Sequence, residues 1–386
     1  MNYHVFIVDK YTFKYHLEYM FAGTGAGDKE VPFLVNSNAY THPTTERNLV
    51  GMIADVSRIR EGDKIIFYLQ ATDGNPGMFY GVFTAASTAF FDENESDDSN
   101  NYLKDKMYKS LTFRIAIAPD CVYPKGVSEH DYLDSLNGVE YPYQMCWSLI
   151  YRKLKGNRGC TMITDYEFKS LLSKLQSVNN NHFEKDMTSF SFDSSSFTIK
   201  ENSQINEYKG RRDSTDIKDR MIHKANKGNA FEVHLQAYIM QNYDKSPLKV
   251  LLLPLSDEPC WIGNEVSCGV GMQRIDTMVI QEKGNDVYIK VVELKCVAPY
   301  MDILDRQLPW YISWISDYVA PNYTLLGKTV HIIPCVLAKC SEDDKFIKKC
   351  RIFHQGYTQR NNIVVEQAEY IGFKVNAENI EFQKIV

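Results

Sequence analysis

Short apolar runs at residues 4–8, 64–69 and 78–84, and apolar residues alternating with others over 111–118, predict four strands in the first half of the chain. Glu61-Gly62-Asp63 and Asn75-Pro76-Gly77 supply turn residues before the second and third. The period changes at Thr164. Glu167 stands three residues after it, and Phe168, Leu171, Leu172 and Leu175 recur at helical spacing, so a capped helix is expected to run to about Leu175. In the second half, Phe231, Leu235, Tyr238 and Ile239 mark one face of a helix over residues 227–243. Strands are expected at 250–253, 274–281, 287–294 and 330–337, with a helix over 301–318 between the last two. Helix, hairpin, helix and strand in this order make an α/β arrangement with one crossover.

Residues 177–219 break both patterns. They are rich in Asn, Ser and charge, and only Phe197-Thr198-Ile199 reads as a short strand. The expected organisation is therefore an α+β domain over 1–176, a connector over 177–219 and an α/β domain over 220–386. A length of 386 residues supports two domains. With 44% hydrophobic and 13% aromatic residues, the chain is globular in composition. The net charge of −6 excludes a chain basic overall, so any nucleic-acid contact must be local. The nine cysteines show no CxxC spacing and read as reduced thiols of a cytoplasmic protein. No signal peptide is expected at the start, and no apolar run is long enough to cross a membrane.

The chemistry is concentrated around the predicted hairpin. Asp276 lies on its first strand, and Glu293-Leu294-Lys295 ends the second. A separation of 17 positions is enough for two strands and a turn, so the two carboxylates can meet at one end. Alternation places Glu293 and Lys295 on one face and sends Leu294 into the core. Glu232, on the preceding helix, can reach over the sheet. Hard oxygen donors of this kind suit magnesium, with manganese as substitute: Asp276, Glu293 and the Leu294 carbonyl are the candidate ligands. A cross-strand ion pair between Asp276 and Lys295 is the purely structural alternative.

This pattern resembles the PD-(D/E)XK nucleases, which have a restriction-endonuclease-like fold. Gln307-Leu308-Pro309-Trp310-Tyr311 in the next helix is similar to the Gln-x-x-x-Tyr element of the RecB-like branch. The resemblance spans about residues 220–340. It implies a central mixed sheet flanked by helices and a metal-dependent endonuclease with Glu232, Asp276, Glu293, Lys295, Gln307 and Tyr311 in its active site. Arg274-Ile275 stands where the family's Pro is usual, and Pro309 is expected to kink the helix.

In the first half, Gly62-Asp63-Lys64-Ile65-Ile66-Phe67-Tyr68 followed by Phe79-Tyr80-Gly81-Val82-Phe83 resembles the strand pair of PUA-like folds, including the EVE branch. That resemblance implies a small barrel holding a nucleobase. Asn38, Tyr40, Tyr68, Tyr80 and Trp147 are the candidate pocket residues, although strand tyrosines are more often core. Arg152, Lys153, Lys155 and Arg158 are candidates for backbone contact. A reader joined to a cutter resembles modification-dependent restriction enzymes, which implies DNA, modified or plain, as partner, a homodimer and a role in defence. The alternatives are an effector nuclease whose first domain senses a small nucleotide, and a non-catalytic nucleic-acid-binding protein with a degenerate nuclease fold.

Overall fold

The computed structural model describes residues 1–25, 35, 40–72, 74–92, 102–134, 138–145, 159–184, 189–204, 206–269 and 273–386. Its contacts divide the chain into two compact units, one of residues 1–139 and 148–216, the other of 140–147 and 217–386. Asn38, Trp147, Arg152, Lys153, Lys155 and Arg158 lie outside the described residues.

The first unit is built on an eight-stranded sheet of β1 (Tyr3–Val8), β2 (Phe21–Thr24), β3 (Lys64–Leu69), β4 (Met78–Ala85), β5 (Phe90–Phe91), β6 (Phe113–Pro119), β7 (Val127–Ser128) and β8 (Cys160–Ile163). The order is β2-β6-β4-β3-β1-β8, with β5 on β6 and β7 on β4; β1 and β3 are parallel, and their neighbours antiparallel. The β3 run Ile65–Leu69 is buried throughout, as expected of a strand in the middle of a sheet. The helix Asp165–Val178 starts with the expected box: Thr164 Oγ1 accepts from the Glu167 N–H, and Glu167 Oε2 accepts from the Thr164 N–H.

The stretch read as a connector is folded. Residues of β9 (Phe190–Asp193) and β10 (Thr198–Glu201) pair as a hairpin, and Phe190, Phe192 and Ile199 are buried. Two phenylalanines spaced by one serine make a half-buried strand, a pattern that the surrounding serines hide. Arg114 of β6 is wholly buried in this unit. Its guanidinium is 3.0 Å from Asp92, donates to the Tyr208 hydroxyl (2.9 Å) and the Tyr102 carbonyl (2.6 Å), and lies 4.8 Å from the Phe21 ring centre.

The second unit carries a seven-stranded sheet. Its strands are β11 (Cys260–Ser267), β12 (Arg274–Lys283), β13 (Asp286–Leu294), β14 (Thr329–Lys339), β15 (Ile363–Val365), β16 (Glu369–Val375) and β17 (Ile380–Lys384). The order is β11-β12-β13-β14-β16-β17, with β15 on β14. Strands β11 to β13 form an antiparallel meander; β13, β14 and β16 run parallel. The hairpin turn is only Gly284-Asn285, with Gly284 at φ +60°, a conformation glycine adopts without strain.

The helix expected over 227–243 is Glu232–Asn242, and a separate helix that was not expected, Lys218–Asn226, precedes it. Gly228 at φ +70° separates them, so Glu232 opens the second. The expected strand at 250–253 is a helical turn, Leu248–Leu252. Leu248 and Leu252 are buried while Val250 is exposed, a period of four instead of two. Strand β11 was not expected; Gly263, Asn264 and Glu265 interrupt its apolar run. In the helix following β13, residues Ile303–Gln307 form a wider π turn that leads into Leu308–Tyr318. Pro309 has no N–H to give and would crowd the carbonyl four residues back, and the wider turn makes room for its ring.

Asp92→Ala should remove the carboxylate that lies 3.0 Å from the buried Arg114 guanidinium. The expected loss is about 3–5 kcal/mol, read as a lower midpoint in urea unfolding at unchanged slope.

Candidate active site

The candidate site forms where the β12–β13 ladder ends and the β11–β12 ladder is interrupted by one pair. Asn264 pairs with Thr277 and Val266 with Ile275, but the intervening Glu265 and Asp276 are not a register pair. Between β12 and β13 the register ends at Thr277 and Val292, one step before Asp276 and Glu293. Backbone groups released by this parting still need partners. Side chains supply them. The Leu294 N–H donates to Asp276 Oδ2 (2.7 Å), Gln236 Nε2 donates to the Asp276 carbonyl (2.9 Å), and the Tyr311 hydroxyl is 2.9 Å from the Arg274 carbonyl.

The same hydroxyl is 2.8 Å from Glu293 Oε2, so one proton is shared between two acceptors. On its other oxygen Glu293 accepts from Lys295 Nζ (2.5 Å), which also donates to the Leu294 carbonyl (2.8 Å). Glu232 Oε2 is 3.8 Å from the same ammonium. Glu293 is 3% exposed, while the Glu232 side chain is 44% exposed and so open to solvent. The structure thus brings Glu232, Asp276, Glu293, Leu294, Lys295 and Tyr311 together. Gln307 lies in the π turn, and its Oε1 is buried with no hydrogen-bond donor among the described residues.

Burial, and after it the nearby Glu293 carboxylate, holds Asp276 well above the ordinary carboxylate range. Burial also raises Glu232; Lys295 opposes this and Glu293 adds to it. Burial works against the charge on Lys295, but Glu293, Asp276 and Glu232 outweigh it and push the ammonium up to about 12. Tyr311 is pushed up by burial and then by the two carboxylates. Cys268 is buried near the same carboxylates and pushed up to about 12, which makes it an inert thiol.

Among the described residues, no group of three or more His, Cys, Asp or Glu side chains is arranged to hold a metal ion. The candidate donors are instead two carboxylates and a main-chain carbonyl. This set fits magnesium or manganese, which bind through one or two carboxylates and keep several waters. Crowded negative charge on Asp276 and Glu293 is the feature a divalent cation would relieve.

Of the pocket candidates in the first unit, Tyr68 and Tyr80 are 1% and 0% exposed. Their hydroxyls donate to Glu129 Oε2 (2.7 Å) and the Phe197 carbonyl (2.8 Å). Both rings are packed on the strand pair and offer no open face to a base. Tyr40 is 78% exposed. Sequence reasoning missed Gln236, Arg274 and Glu265. Gln236 is four residues from Glu232 on one helix face, and Arg274 two residues from Asp276 on one strand face, so the periodicities held the signal.

No family model matches the chain, and no curated protein matches it. Among solved structures, a hypothetical protein from Leishmania major is similar over 46% of this chain and 96% of its own, at 9% identity and a TM-score of 0.29. The human THYN1 protein, in complex with 5-methylcytosine-containing DNA, matches over 46% and 98% at 10% identity and a TM-score of 0.28. Rpa0253 from Rhodopseudomonas palustris matches over 46% and 94% at 12% identity and a TM-score of 0.27. Likenesses of this size leave the fold to be argued from the chain's own strands. No helix among the described residues is long and apolar enough to cross a membrane.

A carboxyl whose folded pKa is raised binds its proton more tightly in the folded state, so its ionisation costs stability as pH rises through the folded value. Asp276→Asn keeps an acceptor for the Leu294 N–H and removes the charge. In chelator, this variant should melt higher than wild type at pH 7, and the gain should vanish as pH falls below the ordinary carboxylate range. Thermal unfolding at pH 7 and pH 3.5 checks both.

Proposed function

We propose that the second unit is a metal-dependent nuclease of the PD-(D/E)XK type that cleaves DNA, with target choice made by the first unit. The observation that carries the reading is the Asp276–Glu293 carboxylate pair with the Lys295 ammonium 2.5 Å from Glu293. The order of elements also supports it: helix Glu232–Asn242, a three-stranded antiparallel meander, helix Leu308–Tyr318, then a strand parallel to the third.

Asp276, Glu293 and the Leu294 carbonyl would hold magnesium or manganese, which supplies charge neutralisation on the phosphate and lowers the pKa of attacking water. Lys295 is placed to stabilise charge that builds on the phosphate oxygens. Glu232, half-exposed and raised in pKa, can accept a proton from water on the solvent side. Tyr311 orients Glu293 and ties it to the backbone of β12. Gln307 stands near enough in the chain to serve the same cluster through its unsatisfied oxygen.

For the first unit, the β3–β4 pair and the helix capped by Thr164 support a PUA/EVE-like reader of DNA, with the exposed Tyr40 ring as its remaining described candidate. A homodimer would give the two active sites that a double-strand break requires. The closing experiment uses plasmid with and without methylated cytosine, in magnesium and in manganese, beside an RNA control. Cleavage of plasmid that needs metal is expected. Lys295→Ala should lower it by roughly 100-fold or more in protein that is still folded at the assay temperature. Folded wild-type protein that cuts neither DNA nor RNA in either metal overturns the reading; cleavage of RNA alone moves the substrate to RNA.

Binding has its own readout. Excess magnesium or manganese should raise the melting temperature of wild type, by roughly 2.7 kcal/mol of stability at 100 times the dissociation constant. Neither Asp276→Asn nor Glu293→Gln should show that rise.

A further inference from the structure

A second cation stands at the same edge of the sheet, and the role proposed for the site does not use it. Arg274 opens β12, two residues before Asp276, and so shares its face. At about 3.3 Å rise per residue, their Cα atoms are roughly 7 Å apart. Its carbonyl is held by Tyr311, which fixes the backbone from which the side chain extends. The guanidinium is 2.5 Å from Glu265 Oε2, and both side chains reach solvent, at 37% and 27% exposure.

Glu265 itself is unusual. It sits within β11 at φ +52°, in the left-handed region that side chains other than glycine rarely adopt inside a strand. Such strain, at a cost of roughly 1–3 kcal/mol, persists where the surroundings over-determine it and collects at functional sites. Here it coincides with the missing register pair opposite Asp276. Glu265 is also close enough to Glu232 to raise its pKa, so it belongs to the electrostatics of the same mouth. An ion pair that reaches solvent on both sides contributes about 1 kcal/mol at most, which does not exceed the strain it accompanies.

We propose that Arg274 grips a phosphate of the nucleic-acid backbone beside the one being cleaved, and that Glu265 holds the guanidinium in place until the phosphate displaces it. This rests on the nuclease reading above. Arginine suits the task because its planar fork pairs with phosphate oxygens through two parallel hydrogen bonds. Glu265 occupies that fork in the absence of substrate, and its negative charge repels the incoming backbone.

The test is binding of a labelled 30-base-pair DNA duplex, with calcium replacing magnesium, over a range of salt. Arg274→Ala should bind roughly ten-fold more weakly and lower the slope of log affinity against log salt by about one. Arg274→Lys should restore the slope and only part of the affinity. Glu265→Gln, which removes the competing charge, should bind more tightly than wild type. If wild type binds and cuts DNA but Arg274→Ala keeps its affinity and salt slope, the pair is structural and this inference alone fails. If Glu265→Gln weakens binding as much as Arg274→Ala, Glu265 does not compete with phosphate, and its holding role fails. If folded wild type neither binds nor cuts DNA, the nuclease reading falls and takes this inference with it.

Discussion

Two carboxylates, Asp276 and Glu293, share one buried edge of the second sheet, and the surrounding structure is organised by the need to keep them there. Burying neighbouring acids is unfavourable unless each lone pair finds a donor. Here a main-chain N–H serves Asp276, while an ammonium and a phenol serve Glu293. Those donors come from three places: the end of β13, the residue after it, and the crossover helix. The strands must part to admit them. Lys295 links this buried pair to Glu232, whose side chain is 44% exposed.

The donors do double duty. Tyr311 binds Glu293 and also the carbonyl of Arg274, and Asp276 takes the Leu294 N–H. The side chains that make the site thus replace ladder hydrogen bonds that the open strands forgo. Lys295 neutralises part of the crowded charge, yet Asp276 still favours its proton. The divalent cation proposed for this site would relieve the charge that Lys295 leaves. The first unit obeys a different constraint. Arg114, one of its buried charges, meets Asp92, a tyrosine hydroxyl and aromatic faces, which ties β6 to segments distant in the chain.

Much of this was legible before any coordinates. The hairpin, the end of β13, the crossover helix and the Thr164 cap all follow from local periodicity, and local periodicity survives folding when one face is buried. The site candidates on the hairpin followed from the same alternation. What was illegible depends on contacts far apart in sequence. The strand at 190–193 hides in a serine-rich run because only packing shows that its two phenylalanines are inside. Residues 250–253 look like a strand until the common burial of Leu248 and Leu252 shows a helical turn.

The chain alone settles which residues carry charge near one another along each element: Glu293 beside Lys295, Arg274 beside Asp276, Glu232 ahead of both. These are short-range facts, dictated by periods of 2 and 3.6 residues. Only the tertiary structure decides that Tyr68 and Tyr80 are core and not pocket, that Tyr311 bridges two strands, and that Glu265 faces the site from a strand the pattern did not reveal. Each of those depends on burial and on cross-strand register, which are properties of elements brought together and not of any single one.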